Sequence, residues 1–235
     1  MTFLNQVKGL TGLTISSSGT TPTQDELSQF LRDGVMEVVN RIIEVRPDET
    51  PKFCTTTEDT SNSGVTVKGK IISVVREHDS TEILRPCTPI LPADRYEATD
   101  KTSLKYRSKY NPGYYVLNGL LHTVPISGGS DNSSLVTQVH YDTGLTHDDS
   151  ESGIENFPDE YAYLVALYAA IKSLEAQMAE YTITEEDYEL ATSINLNIEN
   201  LRDQYDEGFG ITRSSSRQIS QQNARQAAIN SQGAQ

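Results

Sequence analysis

Four histidines are scattered through the 235 residues, at His78, His122, His140 and His147, and His140, in "HYD" at the end of a predicted strand, stands at strand spacing from the carboxylate of Asp142. Residues two apart on a strand share a face, so this pair could be a general base with its orienting group, or two ligands of a metal ion. No serine or cysteine stands near them in a recognisable nucleophile setting, and a solvated strand end accounts for the pair as well. A second candidate is "HDDSESGIENFPDE", His147 to Glu160, which has Asp148, Gly153 and Asp159 at the first, sixth and twelfth positions of a calcium loop. Ser150 and Ser152 replace the usual acids there, and Pro158 falls where the exiting helix should already run. An acidic loop entering a helix is the more economical reading, with Asp159 and Glu160 complementing the positive end of the helix dipole. P-loop, GxGxxG, HExxH and GxSxG patterns do not occur. The expectation is therefore no catalytic residue, no cofactor site and no metal site.

Composition narrows the remaining classes. The formal charge of −14 opposes binding to nucleic acid through phosphate neutralisation, which requires clustered Lys and Arg. Twelve tyrosines outnumber five phenylalanines and no tryptophan. Those in "KYRSKYNPGYY" could stack on bases, but in a chain of this charge they fit a sheet surface or a subunit interface better. Cys54 and Cys87 stand far apart, outside any CxxC or zinc spacing, and read as two buried thiols from a reducing compartment. The N-terminus lacks the apolar core of a signal peptide, and no run approaches the roughly 20 apolar residues of a membrane span. A soluble protein made in the cytoplasm, without a membrane partner, is expected.

The elements that would position these residues fall into three textures. Thr23 with Glu26 makes a capping box ahead of Leu27, Phe30, Leu31, Val35, Val38, Val39 and Ile42, which predicts a helix from Gln24 to Arg46, ended by Pro47. From Pro51 to Thr146 short β-branched runs alternate with Gly, Pro, Ser and Asn, as in a β-rich module. "VTVKGKIISVVREHDSTEIL" predicts two strands with a turn near His78 to Ser80. "GYYVLNGLLHTVPI" predicts a hairpin turning at Asn118-Gly119, and Ser134 to Tyr141 another strand. The proline-punctuated stretch containing Lys101, Lys105, Arg107 and Lys109 predicts a long exposed arm. Helical texture returns in "FPDEYAYLVALYAAIKSLEAQMAEY", where Leu164, Leu167, Ile171, Leu174, Met178 and Tyr181 form a packing seam of two apolar positions per seven. A further stripe, Leu190, Ile194, Ile198, Leu201 and Tyr205, runs to Gly208, so the two helices predict an antiparallel hairpin, each about 35 Å long. The fold class expected is α+β: an N-terminal extension over 1–23, a helical bundle over 24–46 and 157–207, an inserted β-rich module over 51–146 and an extended tail over 208–235. That tail carries Arg213, Arg217 and Arg225 and no acid, opposite in sign to the body.

"NPGYYVLNGLLHTVPI" followed by "IENFPDEYAYLVALYAAIKSLEAQMAEY" resembles the head-to-tail connector proteins of tailed bacteriophages, also called adaptor or neck proteins. The resemblance rests on an "FPDE"-like helix start, an aliphatic Ala-rich helix with "SLE" within Lys172 to Glu175, and a tyrosine-bearing strand and hairpin over Tyr114 to Ile126. It spans most of residues 24 to 207. It implies a structural, non-enzymatic virion protein of the phage neck, assembled in the host cytoplasm. A homo-oligomeric ring, typically of twelve copies, would sit between the portal protein and a tail, nozzle or stopper protein. Genomic DNA would pass through without sequence-specific binding, past a lumen whose acids repel phosphate. The resemblance also implies that the C-terminal segment docks on the portal, with Arg213, Arg217 and Arg225 as its charged contacts. The alternatives are another neck or tail component such as a tail terminator or stopper, a small metal-dependent hydrolase built on His140 and Asp142, and a free-standing binding module for glycan or protein.

Overall fold

The computed structural model describes residues 1–61, 63–77, 83–126, 133–182 and 188–210. The chain is α+β and divides into two compact units, one from Met1–Val45 and Asp142 onward, the other from Arg46–Tyr141. The turn expected at His78 to Ser80, the link between the last two helices and the tail from residue 211 fall outside the described residues.

The first unit is helical: α1 (Phe3–Thr11), α2 (Gln24–Val45), α3 (Asp159–Glu180) and α4 (Tyr188–Gly208). The expected capping box opens α2. The Thr23 amide donates to Glu26 Oε2 at 2.7 Å and the Glu26 amide to Thr23 Oγ1 at 3.3 Å, so two of the amides left over at the helix start are satisfied reciprocally. Leu27, Leu31, Val35, Val38, Val39 and Ile42 are buried, as a single apolar stripe requires.

α3 packs against α1, α2 and α4 and is buried on more than one face. Of the predicted seam, Leu164, Leu167, Ile171 and Leu174 are buried, while Met178 and Tyr181 are half-buried. Ala162, Val165, Ala166, Ala169, Ala170 and Ser173 are buried as well, so a two-per-seven seam understates the contact. Small residues between the large ones let three neighbours approach one helix. The N-terminal extension expected over 1–23 contains a helix, α1. Thr2 caps the Asn5 amide, Gly12 closes the helix at φ 71°, and Phe3 and Val7, one turn apart, are fully buried.

Among the described residues the second unit holds eight strands in two sheets. One sheet has the order β1 (Cys54–Asp59), β8 (Ser134–Val139), β3 (Ile71–Glu77), β4 (Leu84–Pro86), all antiparallel. The other has the order β2 (Val65–Thr66), β7 (Leu120–Val124), β6 (Gly113–Leu117), β5 (Thr88–Pro89), with only β5 parallel to its neighbour. Val74 and Val136 from the first sheet meet Val65 and Leu121 from the second in one core. The hairpin β6–β7 turns where expected: Asn118 at φ 53° and Gly119 at φ 77° are the two left-handed positions of a type I′ turn, and Leu117 faces Leu120 across it.

The stretch from Val65, expected as two strands, contributes three. Val65–Thr66 pairs into the second sheet before the chain crosses to the first. Gly69 makes the crossing possible: a Cβ there would lie 2.4 Å from the Val139 carbonyl oxygen. The buried Gln138 side chain bridges the crossing. It accepts from the Lys68 amide and donates to the Thr66 carbonyl, both at 2.9 Å.

Candidate functional site

The His140–Asp142 pair does not lie on a strand. β8 ends at Val139, so the alternation that would put both side chains on one face has stopped. The His140 amide donates to the Phe53 carbonyl at 2.8 Å. The Asp142 carboxylate staples its own loop, accepting from the amides of Gly144 at 2.9 Å and Glu155 at 3.0 Å. Asp149 accepts from the amide and hydroxyl of Thr146, and Glu151 from the Gln6 side chain. Among the described residues no group of three or more His, Cys, Asp or Glu comes together as metal ligands would.

A different constellation does assemble. His147 Nδ1 lies 3.0 Å from Ser28 Oγ, and Nε2 lies 3.4 Å from a carboxylate oxygen of Asp148. Serine, histidine and aspartate in series can activate a hydroxyl, so the geometry has to be weighed. Ser28 is buried in the second turn of α2, where its hydroxyl donates to the Gln24 carbonyl at 2.9 Å and accepts the His147 amide at 3.1 Å. With both functions engaged by backbone, the hydroxyl acts as a rivet between α2 and the loop at 145–149. Arg32 Nε binds the Leu145 carbonyl, and the Phe3 and Leu4 amides bind the carbonyls of Asp149 and His147, fastening α1 to the same loop. Ser28 and His147 are 119 positions apart, so no sequence spacing could have announced this contact.

What remains distinctive is the distribution of charge and exposed apolar surface. Residues 1–45 and 142–210 hold twenty-two acids and five bases, a net −17, whereas residues 46–141 hold eleven of each. The acidity of the protein therefore belongs to the helical unit. Between its helices the few bases are placed singly. Glu175 takes Lys172 Nζ at 2.8 Å and Arg202 Nη2 at 2.5 Å, tying α3 to α4. Burial pushes the Glu175 carboxyl up, and the two cationic donors outweigh it, leaving it below the ordinary range.

Arg41 of α2 binds Asp206 at 2.5 Å and lies over the rings of Tyr205 and Phe209, 5.3 and 4.7 Å from their centroids. Burial, then the charge of Glu37, raises the Tyr205 hydroxyl above its usual range. This clamp holds the C-terminal end of α4, and Phe209, 3% exposed, belongs to the helical unit rather than to the tail. The tail arginines Arg213, Arg217 and Arg225 lie outside the described residues.

In the β-rich unit the expected arm is an ordered loop. Arg95 donates to the Pro92 carbonyl, the Arg107 amide to the Ala98 carbonyl, and Lys105 to Asp94 and Glu97 at 2.9 and 3.2 Å, while Ala98 is 1% exposed. Tyr115 stacks on His122 at 5.4 Å, and Tyr114 packs against the core between the sheets, so both tyrosines of "PGYY" are engaged within the chain. Burial pushes the Cys87 thiol, beside the same core, up to about 12, opposed weakly by Arg76, and Cys54 is raised by burial too. Raised thiols are protonated at neutral pH and are poor nucleophiles. No protein-family model matches the chain, and comparison with curated proteins finds no match.

Proposed function

We propose that this chain is a structural component of a tailed-bacteriophage neck, an adaptor ring between portal and tail through which the genome passes. The observation that carries the proposal is the segregation of charge, −17 on the helical residues 1–45 and 142–210 against zero on the β-rich unit. A wall of that sign beside a DNA channel repels phosphate at short range and lets the duplex slide, because no basic groove grips it. The hairpin β6–β7 and the helix α3 are the elements that carry the resemblance to connector proteins. α3 is buried on more than one face, and β7 sets Leu121, Thr123 and Val124 inside its unit, which suits a part that transmits load. No described helix is long and apolar enough to cross a membrane.

In the ring the helical units face the channel and the 211–235 segment reaches the portal. The test is electron microscopy and mass measurement of the protein alone and with a portal protein. A closed ring with a negative bore is expected. A map with a basic bore, or no association with portal under conditions where other neck parts bind, would overturn the proposal. Binding lost on ending the chain after Gly210 assigns the docking to the tail, and unchanged binding removes that part.

A further inference from the structure

Two surfaces of this chain complement each other. The first is the arm over residues 90–111, between β5 and β6. Although hydrogen bonds fasten it internally, it holds Leu91, Tyr96, Leu104 and Tyr110 toward water, at 68%, 70%, 106% and 63% exposure. Leu91 and Leu104 line one hollow of about 400 Å3 together with Lys105 and Arg107. Five basic side chains against three acids give this stretch a charge of +2 in a unit that is neutral as a whole. Large apolar side chains held outward on an ordered basic loop mark a surface built for contact.

The second surface is a groove of about 460 Å3 on the helical unit, lined by Met1 and Leu10, by Tyr163, Ala166 and Leu167 of α3, and by Gln204 of α4. Its floor is apolar, and Met1, Leu10 and Tyr163 are 82%, 41% and 44% exposed. No acid lines the groove itself; Glu160 precedes Tyr163 by three positions and Glu207 follows Gln204 by three, so each exposed acid stands one helical turn from a lining residue.

We propose that the arm of one copy docks in the groove of a second copy. Leucine and tyrosine enter the apolar floor, and the flanking Lys and Arg meet the acids beside it. The match of sign and polarity selects a second copy as the occupant: the arm needs an acidic partner with an apolar recess, and the helical unit is one. The contact is heterologous, joining two different patches. Each copy therefore keeps one unused arm or groove until the assembly closes as a ring or continues as a filament. This supplies the subunit contact that a neck ring needs, but it does not rest on that function, because self-association can be measured without portal or phage.

The experiment uses two variants of the full chain, Leu104→Glu in the arm and Leu10→Arg in the groove, with far-UV circular dichroism and thermal melting as fold controls. Both positions are exposed, so wild-type melting is expected. Sedimentation velocity should show wild-type chain assembling, each variant alone associating at least about tenfold more weakly, and a one-to-one mixture forming a dimer that grows no further. The mixture pairs the intact groove of one variant with the intact arm of the other. A wild-type monomer, undiminished assembly by either variant, or a mixture that stays monomeric would each overturn the proposal. The chain ending after Gly210 is run alongside. It should assemble like wild type, and loss of assembly there would make the 211–235 segment the occupant and overturn the assignment to the arm.

Discussion

Replacing Arg41 by methionine tests whether the clamp at the end of α4 holds the helical unit together. The side chains of Arg41 and Asp206 are 23% and 4% exposed, so the carboxylate is the more deeply buried partner. Methionine keeps much of the packing of the arginine stem while removing the charge and the forked donors. Removing one member of a buried pair costs about 3–5 kcal/mol, because the other keeps its desolvation penalty without the compensating attraction. Water reaches one side of Arg41, which favours the lower end of that range. The lost contacts with the Tyr205 and Phe209 rings add about 0.5–1 kcal/mol. A destabilisation of about 3.5–4 kcal/mol follows, and at about 2–4 °C per kcal/mol it lowers the helical unit's melting temperature by about 7–16 °C. Far-UV circular dichroism during thermal unfolding measures this. Adding Asp206→Asn to Arg41→Met should recover about 1–2 kcal/mol, since the buried charge that caused the loss is gone. A loss below about 1 kcal/mol in the single variant, or no recovery in the double, would refute the assignment of the clamp's strength to ion pairing.

Three further outcomes are expected. Gly119→Val should cost about 1–2 kcal/mol in denaturant unfolding, whereas Gly119→Asn should cost much less. Nothing lies within 4 Å of a Cβ there, so the penalty arises from φ +77° alone, which asparagine tolerates and a β-branched residue does not. Ending the chain after Gly210 should leave the melting temperature unchanged, while Phe209→Ala should cost about 3 kcal/mol, because the ring is 3% exposed and meets the Tyr205 ring edge to face at 5.0 Å. Cys87 should react with a thiol reagent at about pH 8 far more slowly in the folded chain than in denaturant. Its pKa rises from 9.0 to about 12 on folding, so the unfolded chain releases this proton first. The corresponding stability is fully present below the unfolded value and is lost as pH rises toward about 12. Equal reaction rates in the folded and denatured chain would show that folding does not raise the thiol.

The helices were readable because their signals are local. Thr23 and Glu26 are one turn apart, and the Asn118-Gly119 turn is decided by two residues. α1 is hard to read from sequence although its signals are present, a capping Thr2, Phe3 and Val7 one turn apart, and Gly12, because nine residues carry too short a period to stand out. The division of the stretch from Val65 into three strands is hard to read for another reason. Gly69 reads as an ordinary turn residue, and only the Val139 carbonyl, seventy positions away, shows why nothing larger fits. His140 and Asp142 were singled out by a strand period that ends one residue too early. The Ser28–His147 contact that does form could not be read at all.

Composition and short-range spacing decided the α+β class, the helix caps, the hairpin turn, the missing enzyme signatures and the opposite signs of body and tail. They could do so because capping, backbone dihedral preference and apolar periodicity act over about four residues. The tertiary structure alone decided that β8, the last strand, lies between β1 and β3. It alone placed Arg41 on Asp206, buried α3 among three helices, and left Leu104 facing water while Leu164 is sealed. Each of these joins groups far apart in the chain, and such pairings follow from how the whole chain closes on itself rather than from any window of its sequence.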